Sequence, residues 1–346
     1  MGEQDGNEVK MGKDIEERDV IIVGAGPAGL SAAIFTQLDG WSTLILERDW
    51  VGGQGAVAYT VSNYPGFPAG DGKVLMGNME KQVTLPPPAG VGAELKHEKV
   101  IDIDPDELMV TTKTNRYKGK AIILATGSKM RSLNIRGERK FMGKGVSYYA
   151  VRDAEKFVGK KVLVVGGGNT TAKSALVAKG KASEVTVVHR RESMRAYPTM
   201  VKRLQKEGID VWYNTEVKEI KGDDEVERAV LVNNKTGTKE EITVNWVVIS
   251  VGTDPNTEMA RKMGLEMTEE FVKVDDQMRT SRKGIFACGE LTSGHRHLIS
   301  SAAEGASAGM AASEYLALEM VKREEMFEGA KNGKYADEYL AMLRGS

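Results

Sequence analysis

Two stretches of the chain follow one pattern: an unbroken apolar run rich in β-branched residues, a cluster of glycines, then a helix-like segment. The first reads Asp19-Val-Ile-Ile-Val23, Gly24-Ala-Gly-Pro-Ala-Gly29, then Leu30 to Leu38. The second reads Lys161-Val-Leu-Val-Val165, Gly166-Gly-Gly-Asn-Thr-Thr171, then Ala172 to Lys179. Apolar runs without polar alternation indicate strands buried on both faces, and the glycines mark the turn into a helix. Each helix is followed by another short apolar run, Ser42-Thr-Leu-Ile-Leu46 and Glu184-Val-Thr-Val-Val188. That completes a βαβ crossover in each unit and predicts an α/β fold with two buried parallel sheets.

The glycine clusters carry chemistry. Gly24, Gly26 and Gly29 have the spacing of a dinucleotide fingerprint, which needs a tight turn, close approach of backbone to pyrophosphate and close helix–strand packing. Glu47 follows the first glycine by 47 − 24 = 23 residues, at a strand end. A carboxylate there accepts hydrogen bonds from ribose hydroxyls and favours an unphosphorylated ribose, as in FAD or NAD. A plain tight turn is the alternative; strand, helix and distal acid together favour the dinucleotide. In the second unit Gly166 and Gly168 are kept, but Thr171 stands where Gly or Ala is usual and is expected to loosen helix–strand packing. His189-Arg190-Arg191, with Arg195 one turn on, replaces the acid. Guanidinium groups bind phosphate oxygens bidentately, so a 2′-phosphate and NADPH are favoured over NADH. A solvated basic helix start is the plainer alternative for these residues.

Composition removes other classes. With 48 basic and 49 acidic residues the net charge is −1, so no global field and no aromatic–basic constellation favours nucleic acid. The one cysteine, Cys288, cannot form an internal disulfide, which argues against a secreted framework and for the cytoplasm. The segment from Met1 to Asp19 is charged throughout, and no later stretch reaches about 18 apolar residues in a row. A soluble protein with a flexible tail over residues 1–17, without membrane or metal site, is the expectation. Leu85-Pro86-Pro87-Pro88-Ala89-Gly90 cannot continue a helix and is read as an irregular surface loop.

Val20 to Leu30, Gly52-Gly53-Gln54, Tyr64-Pro65-Gly66-Phe67, Ala125-Thr126-Gly127, Gly145-Val146-Ser147-Tyr148, Gly166 to Thr170, His189-Arg190-Arg191-Glu192 and Phe286-Ala287-Cys288-Gly289-Glu290 resemble the low-molecular-weight thioredoxin reductases in sequence and order. The resemblance covers about residues 18–318. It implies two Rossmann-like three-layer domains and usually a homodimer. The FAD domain would comprise residues 18–140 and 254–346, with a C-terminal helical extension, and the inserted NADPH domain residues 141–253. Position by position it assigns Gly24, Gly26, Gly29, Glu47, Gln54 and Gly127 to FAD. Gly289 and Glu290 match a late motif whose acid, usually Asp, holds the ribityl–phosphate region. Arg296 and His297 fall where the family has Arg-Gln beside the isoalloxazine; a surface position at a helix start is the alternative for His297. Gly166, Gly168, Asn169, Thr170, His189, Arg190, Arg191 and Arg195 go to NADPH.

One departure changes the expected chemistry. After Tyr148 that family has Cys-x-x-Cys-Asp, and here the chain reads Tyr149-Ala150-Val151-Arg152-Asp153. Passing two electrons to a thioredoxin disulfide requires a dithiol, which Tyr149 and Arg152 cannot replace. Asp153 matches the family's general acid but has no thiolate to protonate. Cys288 is expected to be a small buried residue rather than a reactive thiol. Replacement by engineering fits poorly, because inactivating changes are usually to Ser or Ala. What remains is hydride transfer from NADPH to FAD. The first acceptor class is ferredoxin or flavodoxin, because a group of ferredoxin–NADP reductases resembles thioredoxin reductase and lacks the cysteine pair. Those enzymes often carry a C-terminal extension that reaches the flavin. Here Arg323 to Ser346 extend the chain, with Phe327, Tyr335 and Tyr339; the last two share a helical face, so dimer packing is an equal reading. Oxygen, a quinone or a low-molecular-weight disulfide as acceptor is a second reading. A non-catalytic flavin-binding protein that senses redox state is a third.

Overall fold

The computed structural model describes residues 15–58, 60–292 and 297–327. The chain divides into two compact units, Met1–Gly127 with Pro255–Ser346, and Ser128–Asp254.

In the first unit the strand Ile15–Val23 lies between two parallel neighbours, Thr43–Leu46 and Arg116–Leu124. Glu94–Lys96 extends the sheet beyond Thr43–Leu46. The other side of Arg116–Leu124 is shared by Met109–Thr112, antiparallel to its first half, and Ile285–Ala287, parallel to its end. Val20 to Val23, Leu44 to Leu46 and Ile122 to Leu124 are buried, as uninterrupted apolar strands must be. The strand begins earlier than the sequence suggests. Ile15 to Arg18, expected partly in a flexible tail, pair with Arg116 to Gly119, and Arg18 forms ion pairs with Glu16 and Glu94. The partner strand lies far along the chain, so nothing local announces the pairing.

One face of this sheet carries the helices Pro27–Leu38 and Leu298–Phe327. They approach backbone to backbone: a Cβ at Gly305 would lie 2.0 Å from the Ala28 carbonyl oxygen, and one at Gly309 would lie 2.6 Å from that of Ala32. The helix Gly72–Thr84 is capped by Asp71, which accepts the Lys73 N–H at 2.8 Å, and stops where the exposed proline run begins. Tyr335 and Tyr339 lie outside the described residues. Among the described residues no helix is long and apolar enough to cross a membrane, and no group of His, Cys, Asp or Glu side chains is arranged to hold a metal.

The second unit holds a five-stranded parallel sheet in the order Asp210–Tyr213, Glu184–His189, Lys161–Gly166, Trp246–Ser250, Val146–Ser147. The helices Asn169–Lys179 and Pro198–Lys206 accompany it, as does an antiparallel sheet of Thr215–Lys221, Arg228–Asn233 and Lys239–Thr243. Its first boundary departs from the expected division after residue 140. Leu133, Ile135 and Phe141 pack into this unit's core with Val146, Val217 and Ile220. Glu138 is buried among them and accepts the N–H groups of Leu133 and Ile135 and the hydroxyl of Tyr148. Residues 133–145, whose polar composition reads in the sequence as a hinge, therefore belong to the fold, and Ser128–Met130 pairs with Thr253–Pro255.

Candidate functional site

The three glycines of the first unit answer to different demands. Gly24 has φ +109°, and a Cβ there would sit 2.4 Å from the Ala125 carbonyl oxygen. At Gly29 a Cβ would come within 1.9 Å of the Gly24 carbonyl oxygen. Protein packing therefore requires both. At Gly26 nothing lies within 4 Å, and the same is true of Gly127 at φ +61°. Gly26 is the N-cap of the helix Pro27–Leu38, where backbone N–H groups and the helix dipole favour an anion.

Glu47 adjoins the glycine loop at Ala25. Its two carboxylate oxygens accept the N–H groups of Ala25 and Asp49, each at 2.8 Å, so it is aligned by the loop it adjoins. Gly52 N–H donates to the Ala25 carbonyl at 2.7 Å, joining the Gly52-Gly53-Gln54 turn to the glycine loop. The Gln54 amide reaches Glu290 at 3.4 Å. Asn256, which sequence reasoning gave no role, holds Thr126 and Gly127 in place: its N–H donates to the Gly127 carbonyl at 2.9 Å and its side-chain amide to that of Thr126 at 2.8 Å. His297 is exposed and contacts Asn63 at 3.4 Å; Arg296 lies outside the described residues.

In the second unit Gly166 has φ +145°, while Gly168 faces open space. Thr171 corrects the expectation of looser packing. It is fully buried; its hydroxyl donates to the Ser250 carbonyl at 3.0 Å and accepts the Gly168 N–H at 3.3 Å. A Cβ on Gly166 would meet that hydroxyl at 2.4 Å, so the glycine makes the room the threonine occupies. The helix start is tied to the end of the strand Trp246–Ser250.

His189 lies beneath this loop. A Cβ on Gly167 would fall 2.2 Å from its ring, and its Nε2 is buried with no hydrogen-bond partner in the protein. Burial lowers its pKa below the ordinary value; Arg191, Arg195 and Arg190 act in the same sense, against a hydrogen bond to the Ser193 backbone. The imidazole is thus neutral at neutral pH. The basic segment is tied to the loop through its backbone. Arg195 and Ala196 N–H groups donate to the Gly167 carbonyl at 2.7 and 3.1 Å, and Tyr197 N–H donates to Asn169 Oδ1 at 2.8 Å. Asn214 N–H and the Asn234 amide hold the carbonyls of Arg191 and Arg190. Arg190, Arg191 and Arg195 are all exposed, as is Thr170 in the first helical turn, and among the described residues none of the three arginines is in an ion pair. Three exposed guanidinium groups on a segment whose backbone is tied to an open glycine loop, with the intervening Glu192 engaged by Lys235, form a candidate site for a multiply charged anion.

Tyr149, Arg152 and Asp153 form a compact group. The Arg152 guanidinium lies 4.7 Å from the centre of the Tyr149 ring. Asp153, 3% exposed, accepts the Ser147 hydroxyl at 2.6 Å, Arg152 at 3.0 Å and Lys156 at 2.9 Å. Burial alone would raise its pKa, but the Ser147 hydrogen bond and the two cations hold it below the ordinary carboxylate value. Asp153 therefore stays ionised and has no proton to give at neutral pH. Its stabilising contribution is present above the unfolded carboxylate pKa and is lost as pH falls below about 4. Asp153→Ala should cost about 2–3 kcal/mol at pH 7, from lost hydrogen bonds to a charged group. The deficit should shrink as pH falls below about 4, which urea melts at a series of pH values would show.

Cys288 is completely buried, its Sγ 3.9 Å from the Leu124 carbonyl oxygen, and burial raises its pKa far above the ordinary thiol range. It is not a reactive thiolate.

Residues 18–309 match the family of pyridine nucleotide-disulphide oxidoreductases. A thioredoxin reductase of Peptoclostridium litorale is 36% identical over 310 residues, which cover 86% of this chain and 96% of that protein. The 34.2 kDa protein in the rubredoxin operon of Clostridium pasteurianum is 33% identical over 309 residues, covering 88% of this chain and 99% of its own. Among solved structures, Lactococcus lactis thioredoxin reductase in its FR conformation matches with a TM-score of 0.81 at 34% identity, over 87% of this chain and 99% of that one.

Proposed function

Because the chain belongs to the pyridine nucleotide-disulphide oxidoreductase family, on its thioredoxin reductase-like side, we propose that NADPH reduces a bound FAD and that the electrons leave to an acceptor other than a protein dithiol. The observation that carries this reading is the contrast between the two glycine loops: a carboxylate, Glu47, beside the first and three exposed guanidinium groups beside the second. The acid suits FAD, and the arginines suit the 2′-phosphate of NADPH.

Gly24, Gly26, Gly29, Glu47, Gln54, Gly127, Gly289, Glu290 and His297 hold FAD. Gly166, Gly168, Asn169, Thr170, Arg190, Arg191 and Arg195 hold NADPH, with His189 supporting the loop from beneath. The open positions at Gly26, Gly127 and Gly168 fit these groups, because a Cβ there would fill the space a phosphate needs. When bound, the two cofactors supply hydride donation and the release of electrons one at a time. The protein's own part is to position them and exclude side reactions.

A small redox protein such as ferredoxin or flavodoxin is the acceptor we favour. The operon of the Clostridium relative, named for rubredoxin, supports a partner of this class. The enzyme works as a homodimer in the cytoplasm. Ionised Asp153 and the Tyr149–Arg152 stack do no proton or thiol chemistry, and one buried cysteine cannot act as a dithiol.

The test is anaerobic mixing of the flavin-loaded protein with NADPH and, separately, with NADH in a stopped-flow spectrometer. Fast bleaching with NADPH and slow bleaching with NADH is expected. Failure of both to bleach the flavin would remove NADPH as the donor. Ferredoxins, flavodoxins, quinones and thioredoxin are then compared as acceptors, with no turnover of thioredoxin expected.

A further inference from the structure

The turn that presents Glu290 is a short 3₁₀ segment, Gly289–Leu291, entered through Gly289 at φ +78°. A carboxylate from elsewhere in the chain fixes it. Glu304, on the helix Leu298–Phe327, accepts the Gly289 N–H at 2.8 Å and the Thr292 hydroxyl at 2.7 Å through one oxygen, Oε2. Those two donors bracket Glu290, whose own carboxylate meets the Gln54 amide at 3.4 Å. The helix is itself anchored at the next residue, where Gly305 lies against the Ala28 backbone in the first turn after Gly26. The glycine loop and the Glu290 turn are thus both referenced to positions 304 and 305 of one helix.

We propose that Glu304 is a positioning residue for the flavin, acting through Gly289 and Thr292 to hold Glu290 in place, and that its charge lowers the flavin's reduction potential. The proposal rests on the FAD reading above. Its physical basis is twofold. Hydrogen bonds to an ionised acceptor are stronger than neutral ones, so a short turn held by two of them is fixed more firmly than its own backbone would fix it. A carboxylate added to that of Glu290 also disfavours the gain of negative charge on a nearby group.

Glu304→Gln and Glu304→Ala separate the two effects. Glutamine keeps the size and an acceptor oxygen but removes the charge; alanine removes both. FAD affinity is read from flavin fluorescence on dilution, and the potential from equilibration with a reference dye during dithionite reduction, so neither reading needs NADPH or an electron acceptor. The alanine variant should lose FAD about tenfold more readily or worse. The glutamine variant should keep FAD within about threefold of wild type and shift the potential to more positive values. An alanine variant that holds FAD like wild type overturns the positioning role, and a glutamine variant with an unchanged potential overturns the charge effect. If the alanine variant does not fold, the glutamine variant alone decides: an unshifted potential sinks the proposal and a positive shift supports it. Wild-type protein that takes up no FAD would overturn the flavin reading and this proposal together. Wild-type flavin that NADPH does not bleach, with both Glu304 effects present, would overturn only the donor assignment.

Discussion

Gly26→Ala should give a folded protein that has lost its FAD, and Gly29→Ala should give little folded protein at all. The same methyl group is added in both, and only its surroundings differ. At position 29 it would land 1.9 Å from the Gly24 carbonyl oxygen, a backbone atom that cannot move without separating the helix Pro27–Leu38 from the strand before it. Overpacking a well-packed site costs about 1–3 kcal/mol where side chains can adjust, and more where a backbone contact must open. At position 26 an added Cβ would meet nothing within 4 Å beyond its own neighbours in the chain, so folding should be unaffected. There the methyl would occupy the space through which the pyrophosphate reaches the helix N-terminus. We expect FAD affinity to fall on the order of a hundredfold, equivalent to about 2.7 kcal/mol. The ratio of flavin to protein absorbance after purification reads the second effect, and circular dichroism melts of the same samples read the first. A yellow Gly26→Ala protein would show that the open space is not the phosphate site.

Replacing Arg190 and Arg191 together by alanine should lower kcat/KM for NADPH about a hundredfold or more and leave the value for NADH within about threefold. Each charge-assisted contact with a phosphate is worth about 1.5–3 kcal/mol, and NADH lacks the group that would receive it. The wild-type preference should also weaken as salt is added, since these side chains are exposed and screened over about 10 Å at 0.1 M ionic strength. Equal losses for both cofactors would place the arginines on the pyrophosphate instead. No loss with either would make them a solvated surface feature, the alternative their sequence position leaves open.

Elements that declare themselves locally were legible in the sequence. The two glycine clusters, each between an apolar strand and a helix, indicate the paired α/β architecture without any long-range information. Features that depend on a distant partner were not. Ile15 to Arg18 look like tail because the residues they pair with, Arg116 to Gly119, come much later in the chain. Leu133 to Phe141 look like a polar hinge because Glu138, Arg139 and Lys140 dominate the composition, yet Glu138 points inward and the apolar residues between complete a core. Thr171 looks like a packing fault until the Ser250 carbonyl is found within reach of its hydroxyl. Glu304 carried no signal in the sequence, for its meaning lies in contacts with Gly289 and Thr292 that only the folded turn supplies. The placement of site residues on loops and strand ends was readable, whereas the side chains that hold those loops still were not.

The burial of Cys288 should make the protein insensitive to thiol-directed poisons. Alkylating agents, organic arsenicals, mercury and gold compounds attack thiolates, and here the single sulfur is enclosed behind the Leu124 strand and held protonated. Oxidants that stall dithiol enzymes by over-oxidising a surface cysteine have no target in this chain. The same property makes it a ready scaffold for spectroscopy: one cysteine placed on its surface can carry a dye or spin label without removing any other.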